Sequence, residues 1–140
     1  MPEESTTRDL VELQKRLTDT GSCRDLDAMM AFYAPDAVWD MSPMGMGVYE
    51  GQAAVRGFLE DWWSSYGRYE SEAEEAFDLG NGVGFRVVIQ KGRPVGSDGE
   101  VEWRYAAVSV WKDSKVVRMT NYGDVDEARA VAERLAQERG

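Results

Sequence analysis

The chain has 140 residues, of which 43% are hydrophobic, and this length and composition predict one folded domain with an apolar core. Its 26 acidic and 16 basic residues give a net charge of −10, and a surface of that sign repels nucleic acid and anionic membranes. No stretch approaches the roughly 20 apolar residues that a membrane span requires. We therefore expect neither nucleic acid nor a membrane as a partner.

Two residue types narrow the chemistry. The sequence contains no histidine, which removes Ser-His and Cys-His nucleophile pairs and most catalytic zinc and iron sites. Cys23 is the only cysteine, so no intrachain disulfide can form, and a reducing cytoplasm is the expected location. We expect no cofactor and no metal, and any acid–base chemistry must then use carboxylates, tyrosines, lysines or water.

The first half of the chain is predicted to be mostly helical, after a flexible terminus at residues 1–7. Apolar residues at helical spacing predict helices over 7–20, 24–34 and 52–65, with a short strand over 37–41. The loop after this strand has methionines in it or beside it, at Met41, Met44 and Met46. Because methionine side chains are flexible, we expect them to form a pliable lid.

The second half of the chain has the pattern of a β-meander followed by a helix. Strands are predicted over 70–74, 83–91, 101–112 and 115–122, and a last helix over 125–138. Gly, Pro, Ser and Asp residues over 92–99 predict a hairpin loop, and Asp124 is the expected N-cap of the last helix. Helices segregated from a run of antiparallel strands indicate an α+β fold rather than a doubly wound sheet.

Three parts of the sequence carry a resemblance to a known superfamily. They are FYAPDAVWD at 32–40, YEG and AVRGFL within 49–59, and the closing strands over 108–122. Together they resemble the nuclear transport factor 2-like superfamily, in its SnoaL-like and ketosteroid isomerase-like branch. The resemblance implies a cone-shaped fold in which a curved sheet and N-terminal helices enclose a pocket, as one domain over residues 1–140. Because this fold hosts isomerases, dehydratases, epoxide hydrolases and cyclases, function must be argued from the site.

Strand alternation predicts which side chains face that pocket. If Asp40 points inward, as its counterpart does in the isomerases, Val38 does so too. The other residues predicted to face inward are Phe85, Val87, Ile89, Trp103, Tyr105, Ala107, Ser109, Trp111, Met119 and Asn121. Those predicted to face outward are Arg86, Val88, Arg104, Val108, Val110 and Arg118.

Asp40 and Asn121 are the candidate catalytic residues. The resemblance implies that Asp40 is a proton-shuttling base, and an apolar pocket would raise its pKa. The alternative is that Asp40 caps a loop or pairs with an arginine. Asn121 is either a hydrogen-bonding group for a ligand or a satisfied structural amide. The candidate ligand-binding residues are Tyr33, Val38, Met44, Phe58, Trp62, Val87, Trp103, Tyr105, Ser109 and Met119.

Two reactions of the fold lack their residues in this chain. The oxyanion donors of the isomerases are a tyrosine on the first helix and a protonated aspartate on a central strand, where this chain has Leu13 or Leu17 and Ala107. The epoxide hydrolases place an acid on the last strand, where this chain has Asn121. An amide orients water but cannot take its proton, so epoxide hydrolysis is not expected. Steroid isomerisation is not expected either, because its oxyanion donors are missing.

We therefore expect a pocket for a small apolar or cyclic molecule. If the protein is an enzyme, it is a cofactor-free isomerase, cyclase or hydro-lyase that acts by proton transfer. The alternative is a non-catalytic ligand-binding or dimerisation module. Val88, Val108 and Val110 on the outer sheet face predict a homodimer, and the rival arrangement is a monomer whose C-terminal helix covers them.

Overall fold

The computed structural model describes the backbone of residues 2–140 and the side chains of residues 10–140. The helices are α1 (Pro2–Ser22), α2 (Leu26–Met30), α3 (Gln52–Ser64) and α4 (Val125–Arg139). The strands are β1 (Tyr33–Asp40), β2 (Val48–Glu50), β3 (Tyr66–Gly80), β4 (Val83–Pro94), β5 (Val101–Lys112) and β6 (Lys115–Tyr122). Helices at both ends of the chain and a meander between them confirm the α+β class.

The strands form one mixed sheet in the order β2-β1-β6-β5-β4-β3. β1 and β6 run parallel, whereas the other neighbours are antiparallel. The meander therefore starts at the far edge with β3 and returns until β6 lies beside β1. The predicted tight turn between β5 and β6 has Asp113 and Ser114 at φ 53° and 63°, which matches the positive φ values of a two-residue type I′ hairpin.

Two apolar layers cover the two faces of the sheet. The inner layer lies under α1, α2 and α3 and contains Leu17, Trp39, Val55 and Tyr105. The outer layer lies under α4, where Ala128, Ala132 and Ala136 pack against Val83, Phe85, Val87 and Val108. Small alanine side chains let this helix lie close to the strands. The central strands are therefore buried on both faces, so hydrophobicity alone does not mark which of their faces is inner.

Some boundaries differ from those predicted. α2 ends at Met30 rather than at 34, because the Val116 N–H donates to the carbonyl of Phe32 at 2.7 Å and draws the chain into β1 alongside β6. β3 pairs with β4 along its whole length, so it begins at Tyr66 and includes the predicted strand 70–74. α1 begins at Pro2, whereas the sequence predicts a start near residue 7. The flexible terminus predicted for residues 1–7 includes Met1, which lies outside the described residues, and it stays a prediction.

The orientation predicted for β4 is wrong by one residue. Phe85 and Val87 face the outer layer under α4, and Ile89 shares their side by alternation. Arg86, Val88 and Gln90 face inward, with Val88 in the inner core. The prediction placed the apolar side chains Phe85, Val87 and Ile89 in the pocket. The helix α4 supplies a second apolar environment on the other face of the sheet, and these side chains face that side instead.

The valine patch that predicted a homodimer is also placed differently. Val88 is inside the cone, and Val108 is 3% exposed because α4 covers it. Of the rival arrangement, the position of the C-terminal helix across this face is observed. The homodimer itself stays a prediction, without this patch to support it.

None of the helices over residues 2–140 combines the length and the hydropathy needed to cross a bilayer.

Candidate functional site

A cavity lies between the concave face of the sheet and helices α1, α2 and α3. One of its walls is aromatic and includes Tyr33, Trp39, Phe58, Trp62, Trp63 and Trp103. The ring centroids lie 5.4 Å apart for Trp39 and Phe58, 6.0 Å for Phe58 and Trp62, and 6.0 Å for Trp62 and Trp103. These edge and stacked contacts form a continuous surface that suits the face or edge of another ring.

Methionines from the loop after β1 also line this cavity. Met41, Met44 and Met46 belong to its lining, and Met44 and Met46 are half-buried. The cavity volume is about 70 Å³. Sites for drug-sized ligands measure about 300–1,000 Å³, so a molecule with a ring fits only if flexible lining side chains move.

Arg86 is the charged group of the cavity and is only 5% exposed. Its Nη1 donates to Thr18 Oγ1 on α1, and its Nη2 lies 4.0 Å from the sulfur of Met119. Thr18 also donates to the carbonyl of Gln14, at 3.0 Å. Within residues 10–140, no carboxylate forms an ion pair with Arg86, and no Asp or Glu lines the cavity. The site therefore holds one buried positive charge in an apolar setting.

Several polar atoms in the cavity lack a protein partner. Over the described side chains, four buried polar atoms have no hydrogen-bond partner, and three of them belong to the lining residues Arg86, Trp39 and Asn121. They are the Nε of Arg86, the Nε1 of Trp39 and the Oδ1 of Asn121. Buried polar groups in proteins are nearly always paired, so three unpaired atoms on the residues of one cavity require an explanation.

Arg86 and Asn121 are held in one row across three strands. Arg86 on β4 pairs in register with Ala107 on β5, and Ala107 pairs with Asn121 on β6. Asn121 is 2% exposed, and its inward orientation is the one predicted from alternation. The methyl group of Ala107 between them leaves space where a larger side chain would separate the guanidinium from the amide.

A second polar chain runs along the other side of the cavity. Gln90 Nε2 donates to Ser71 Oγ at 3.0 Å and to the hydroxyl of Tyr105 at 3.5 Å. Burial raises the pKa of Tyr105 to about 12, against an opposing effect of the Arg86 charge. Burial likewise raises the pKa of Tyr33, again opposed by Arg86. Both phenols therefore stay neutral at physiological pH, and the hydroxyl of Tyr105 accepts from Gln90.

The shifted pKa of Tyr105 predicts a loss of stability in alkali. The folded state keeps this phenol protonated up to about pH 12, whereas the unfolded chain ionises near pH 10, so stability is complete below pH 10 and falls as the pH rises towards 12. The slope is about 1.4 kcal/mol per pH unit for one such tyrosine. We expect Tyr105→Phe to remove this part of the decline in urea unfolding at pH 9–11. Equal slopes in the variant and the parent protein would contradict the assignment.

Asp40 is not in this cavity, so the predicted inward orientation and raised pKa are wrong. Its carboxylate accepts from Ser42 Oγ at 2.6 Å, from the Ser42 N–H at 2.9 Å and from Arg118 Nη2 at 2.8 Å. The hydrogen bonds from Ser42, with a smaller contribution from Arg118, lower the pKa of Asp40. Trp39 points into the cone instead, because burying its indole is favourable and burying a carboxylate is not. The loop-capping and arginine-pairing alternative describes Asp40.

The other predicted residues divide between the cavity and its surroundings. Those that line it are Tyr33, Met44, Phe58, Trp62, Trp103, Tyr105 and Asn121. Val38 shares the outer side of β1 with Asp40, and Val87 lies under α4. Met119 and Ser109 are fully buried outside the lining; Met119 touches Arg86, and Ser109 accepts from Trp111 Nε1 at 2.8 Å.

Sequence reasoning missed Arg86, Gln90 and Trp39 as residues of the cavity. Arg86 and Gln90 are four residues apart in the strongly β-prone run at 83–91, so they lie on the same face of the strand. A charged residue is unusual in a strand that is buried on both faces. The outward orientation that alternation predicts for Arg86 accounts for the same charge, so the signal does not place it in the cavity. The acidic residues around Glu72 lie on β3, and within residues 10–140 no cluster of acidic or cysteine side chains could hold a metal ion.

Comparisons with known proteins agree with this architecture. The family model described as a SnoaL-like domain matches residues 15–119. A search of curated proteins finds no significant match. Among solved structures, TerC co-crystallised with polyporic acid is 17% identical with a TM-score of 0.71, over 88% of this chain and 97% of that one. An LEH-like epoxide hydrolase from M. tuberculosis is 13% identical with a TM-score of 0.71, over 92% of each chain.

A third solved structure names the fold directly. It is a protein with a ketosteroid isomerase-like fold from Catenulispora acidiphila, in complex with trimethylamine, and it is 10% identical with a TM-score of 0.72 over 86% of this chain and 92% of that one. At these identities the solved structures establish the fold alone. The family match, which covers most of the chain, goes further: this protein belongs to the SnoaL-like domain family, within the nuclear transport factor 2-like and ketosteroid isomerase-like folds.

Proposed function

We propose that the cavity binds a small, mostly apolar, cyclic molecule. The observation that carries this proposal is the aromatic wall, in which Trp39, Phe58, Trp62 and Trp103 present adjoining rings to the cavity. Such a wall buries ring surface well, and the few polar groups opposite it orient what binds. Membership of a small-molecule-binding family supports the same conclusion, and so does the co-crystallisation of the similar protein TerC with polyporic acid.

The methionine loop gives access to the cavity. Met44 follows Pro43 in a short 3₁₀ turn, Ser42–Met44, that ends at Gly45 with φ 77°. A thioether side chain can change rotamer without disturbing the strands beneath it, so the mouth can open while the sheet stays in place. Ligand entry then requires movement of this loop and not of the fold.

Tryptophan emission tests the location of binding. Trp39, Trp62, Trp63 and Trp103 line the cavity, whereas Trp111 is buried outside the lining. Saturating nitrobenzene, a neutral aromatic quencher, should therefore quench most of the emission. The quenched fraction should rise in Trp111→Phe, which removes protected emission, and fall in Trp103→Phe.

These two variants are matched, since each replaces one indole with a phenyl ring. If Trp111→Phe lowers the quenched fraction as much as Trp103→Phe does, the quencher binds elsewhere and the proposal is wrong. Quenching that stays linear up to the solubility limit, with no saturation, would also count against a defined site.

A second candidate function is cofactor-free proton-transfer chemistry on the bound molecule, as an isomerisation, cyclisation, or addition or loss of water. The specific observation in its favour is that Arg86 lies among the neutral phenols of Tyr33 and Tyr105, which together suit an oxygen that gains negative charge in a transition state. Asp40 does not belong to this constellation, so the base would be water or a group of the substrate. Turnover should then survive EDTA, and its loss on chelation would argue against this chemistry.

A non-catalytic ligand-binding or dimerisation module is the alternative to an enzyme. We further propose that residues 1–140 form one domain, that the protein acts in the cytoplasm and that it forms a homodimer. The mass of the protein in solution tests the homodimer. Light scattering at micromolar concentration should give about twice the 15.7 kDa of one chain. A 15.7 kDa species would rule out the dimer and leave α4 as the only cover of the outer face among the described residues.

A further inference from the structure

We propose that the ligand of this cavity is a cyclic or aromatic organic anion. Its charged group, a delocalised oxyanion such as a carboxylate or an enolate, binds the guanidinium of Arg86. This inference rests on the proposed function, since it concerns the same cavity, and it adds the charge of the ligand. It follows from the electrostatics of Arg86, from the unpaired atoms around it and from the row of residues across the sheet.

The charge of Arg86 is buried and uncompensated. An arginine side chain stays protonated throughout the physiological pH range, and buried charges in proteins are paired or bound to a ligand. The groups that face Arg86 are the Thr18 hydroxyl, the Met119 sulfur and the hydroxyls of Tyr33 and Tyr105, and none of them carries a negative charge. An anion from outside the chain is the partner that this position requires.

Other arginines of the chain show the contrast. Arg56, Arg104, Arg118 and Arg129 are each roughly half exposed, and each forms an ion pair with a carboxylate at 2.7–3.3 Å. The sequence has 26 acidic residues, so carboxylates are plentiful. These four arginines, which are exposed to water and need a partner least, each have a carboxylate, whereas the buried Arg86 has none among residues 10–140.

The geometry around Arg86 fits an oxyanion with a hydroxyl nearby. The Nε of Arg86 and the Nε1 of Trp39 are donors without acceptors, and an oxyanion supplies acceptors. The Oδ1 of Asn121 is a buried acceptor without a donor and suits a ligand hydroxyl. Ala107 lies on the strand between Arg86 and Asn121, so these two residues are two strand spacings apart, roughly 10 Å between backbones. A cyclic ligand with an oxyanion at one end and a hydroxyl at the other has the length to contact both.

A pair of matched ligands tests the inference on the full chain. Benzoate and benzamide have nearly the same shape and differ in charge, and their affinities can be measured by calorimetry at constant ionic strength. We expect benzoate to bind at least tenfold more tightly than benzamide. Arg86→Met should abolish this preference, whereas Arg104→Met, which removes an exposed arginine, should keep it.

A second pair of variants separates loss of charge from loss of folding. Ala107→Asp places a carboxylate beside Arg86, where it occupies the anion site from within, and Ala107→Asn places a neutral group of the same size there. Both side chains fill space beside Arg86, so we expect both variants to bind more weakly than the parent protein, but only Ala107→Asp to remove the preference for benzoate over benzamide. Equal affinities for benzoate and benzamide in the parent protein would overturn the anion inference and leave the proposed function standing. Binding of neither compound, with no saturable quenching by nitrobenzene, would overturn both.

Discussion

Arg86→Met should make the ligand-free protein more stable, by about 1–3 kcal/mol, which corresponds to a rise of roughly 4–10 °C in Tm. Breaking a buried ion pair is normally destabilising because the remaining partner is left charged and buried. Arg86 has no such partner among the described residues, so we expect the desolvation penalty that an unbranched apolar side chain removes to outweigh the lost hydrogen bond to Thr18. The hydroxyl of Thr18 keeps its bond to the Gln14 carbonyl after the change.

Urea unfolding at low ionic strength measures this effect, because dissolved anions would otherwise bind the parent protein. Arg104→Met is the control, since it removes an arginine that is 51% exposed and paired with Glu74 at 2.7 Å. Exposed pairs contribute about 0–1 kcal/mol, so this control should be nearly neutral. A fall in stability in Arg86→Met alone would mean that the guanidinium is compensated in the free protein.

A gain in stability together with a loss of anion binding would have a plain physical meaning. Binding sites hold groups that the fold by itself does not favour, and the ligand compensates for them. Arg86 would then be retained for the ligand and not for the core. The same substitution thus gives opposite signs in the two assays, which a purely structural role of the side chain does not predict.

Phe85→Ala should cause the largest loss of stability, about 3–5 kcal/mol. The ring is completely buried between β4 and α4, it stacks on Phe77 at a centroid distance of 6.2 Å, and the guanidinium carbon of Arg129 lies 4.9 Å from its centroid. Removing it leaves a cavity in the outer layer, and the helix cannot collapse into this space without losing its alanine contacts.

Phe77→Ala is the matched control for this prediction. Phe77 belongs to the same stacked pair but is 38% exposed, so its loss should be about 1 kcal/mol. Benzoate affinity in folded Phe85→Ala should equal that of the parent protein, because the ring lies on the side of the sheet away from the cavity. If Phe85→Ala lost benzoate binding but not stability, Phe85 would have to face the cavity, which would contradict the observed orientation of β4.

Sequence patterns predict correctly which side chains face inward on some strands of the sheet and not on others. Trp103, Tyr105 and Asn121 were oriented correctly because β5 and β6 form a tight hairpin with a defined turn, which sets their register locally. β1 lies between β2 and β6, and its pairing with β6 is irregular between Tyr33 and Val38. The orientation of Asp40 came from the resemblance, and the burial of Trp39 decided against it.

Apart from the short edge strand β2, which falls in a stretch predicted to be a loop, the order of helices and strands, the α+β class and the SnoaL-like family follow from the amino-acid sequence itself. Apolar spacing, turn residues and the segment around FYAPDAVWD are local signals. The inward position of Arg86 does not follow from them. Alternation allows either set of alternate side chains in a strand to face inward. Where helices cover both faces of the sheet, the two orientations bury similar amounts of apolar surface. Only the packing of α4 on one face and of α1 on the other decides between them. That packing buries Phe85 beneath α4 and directs a charged guanidinium into the cavity.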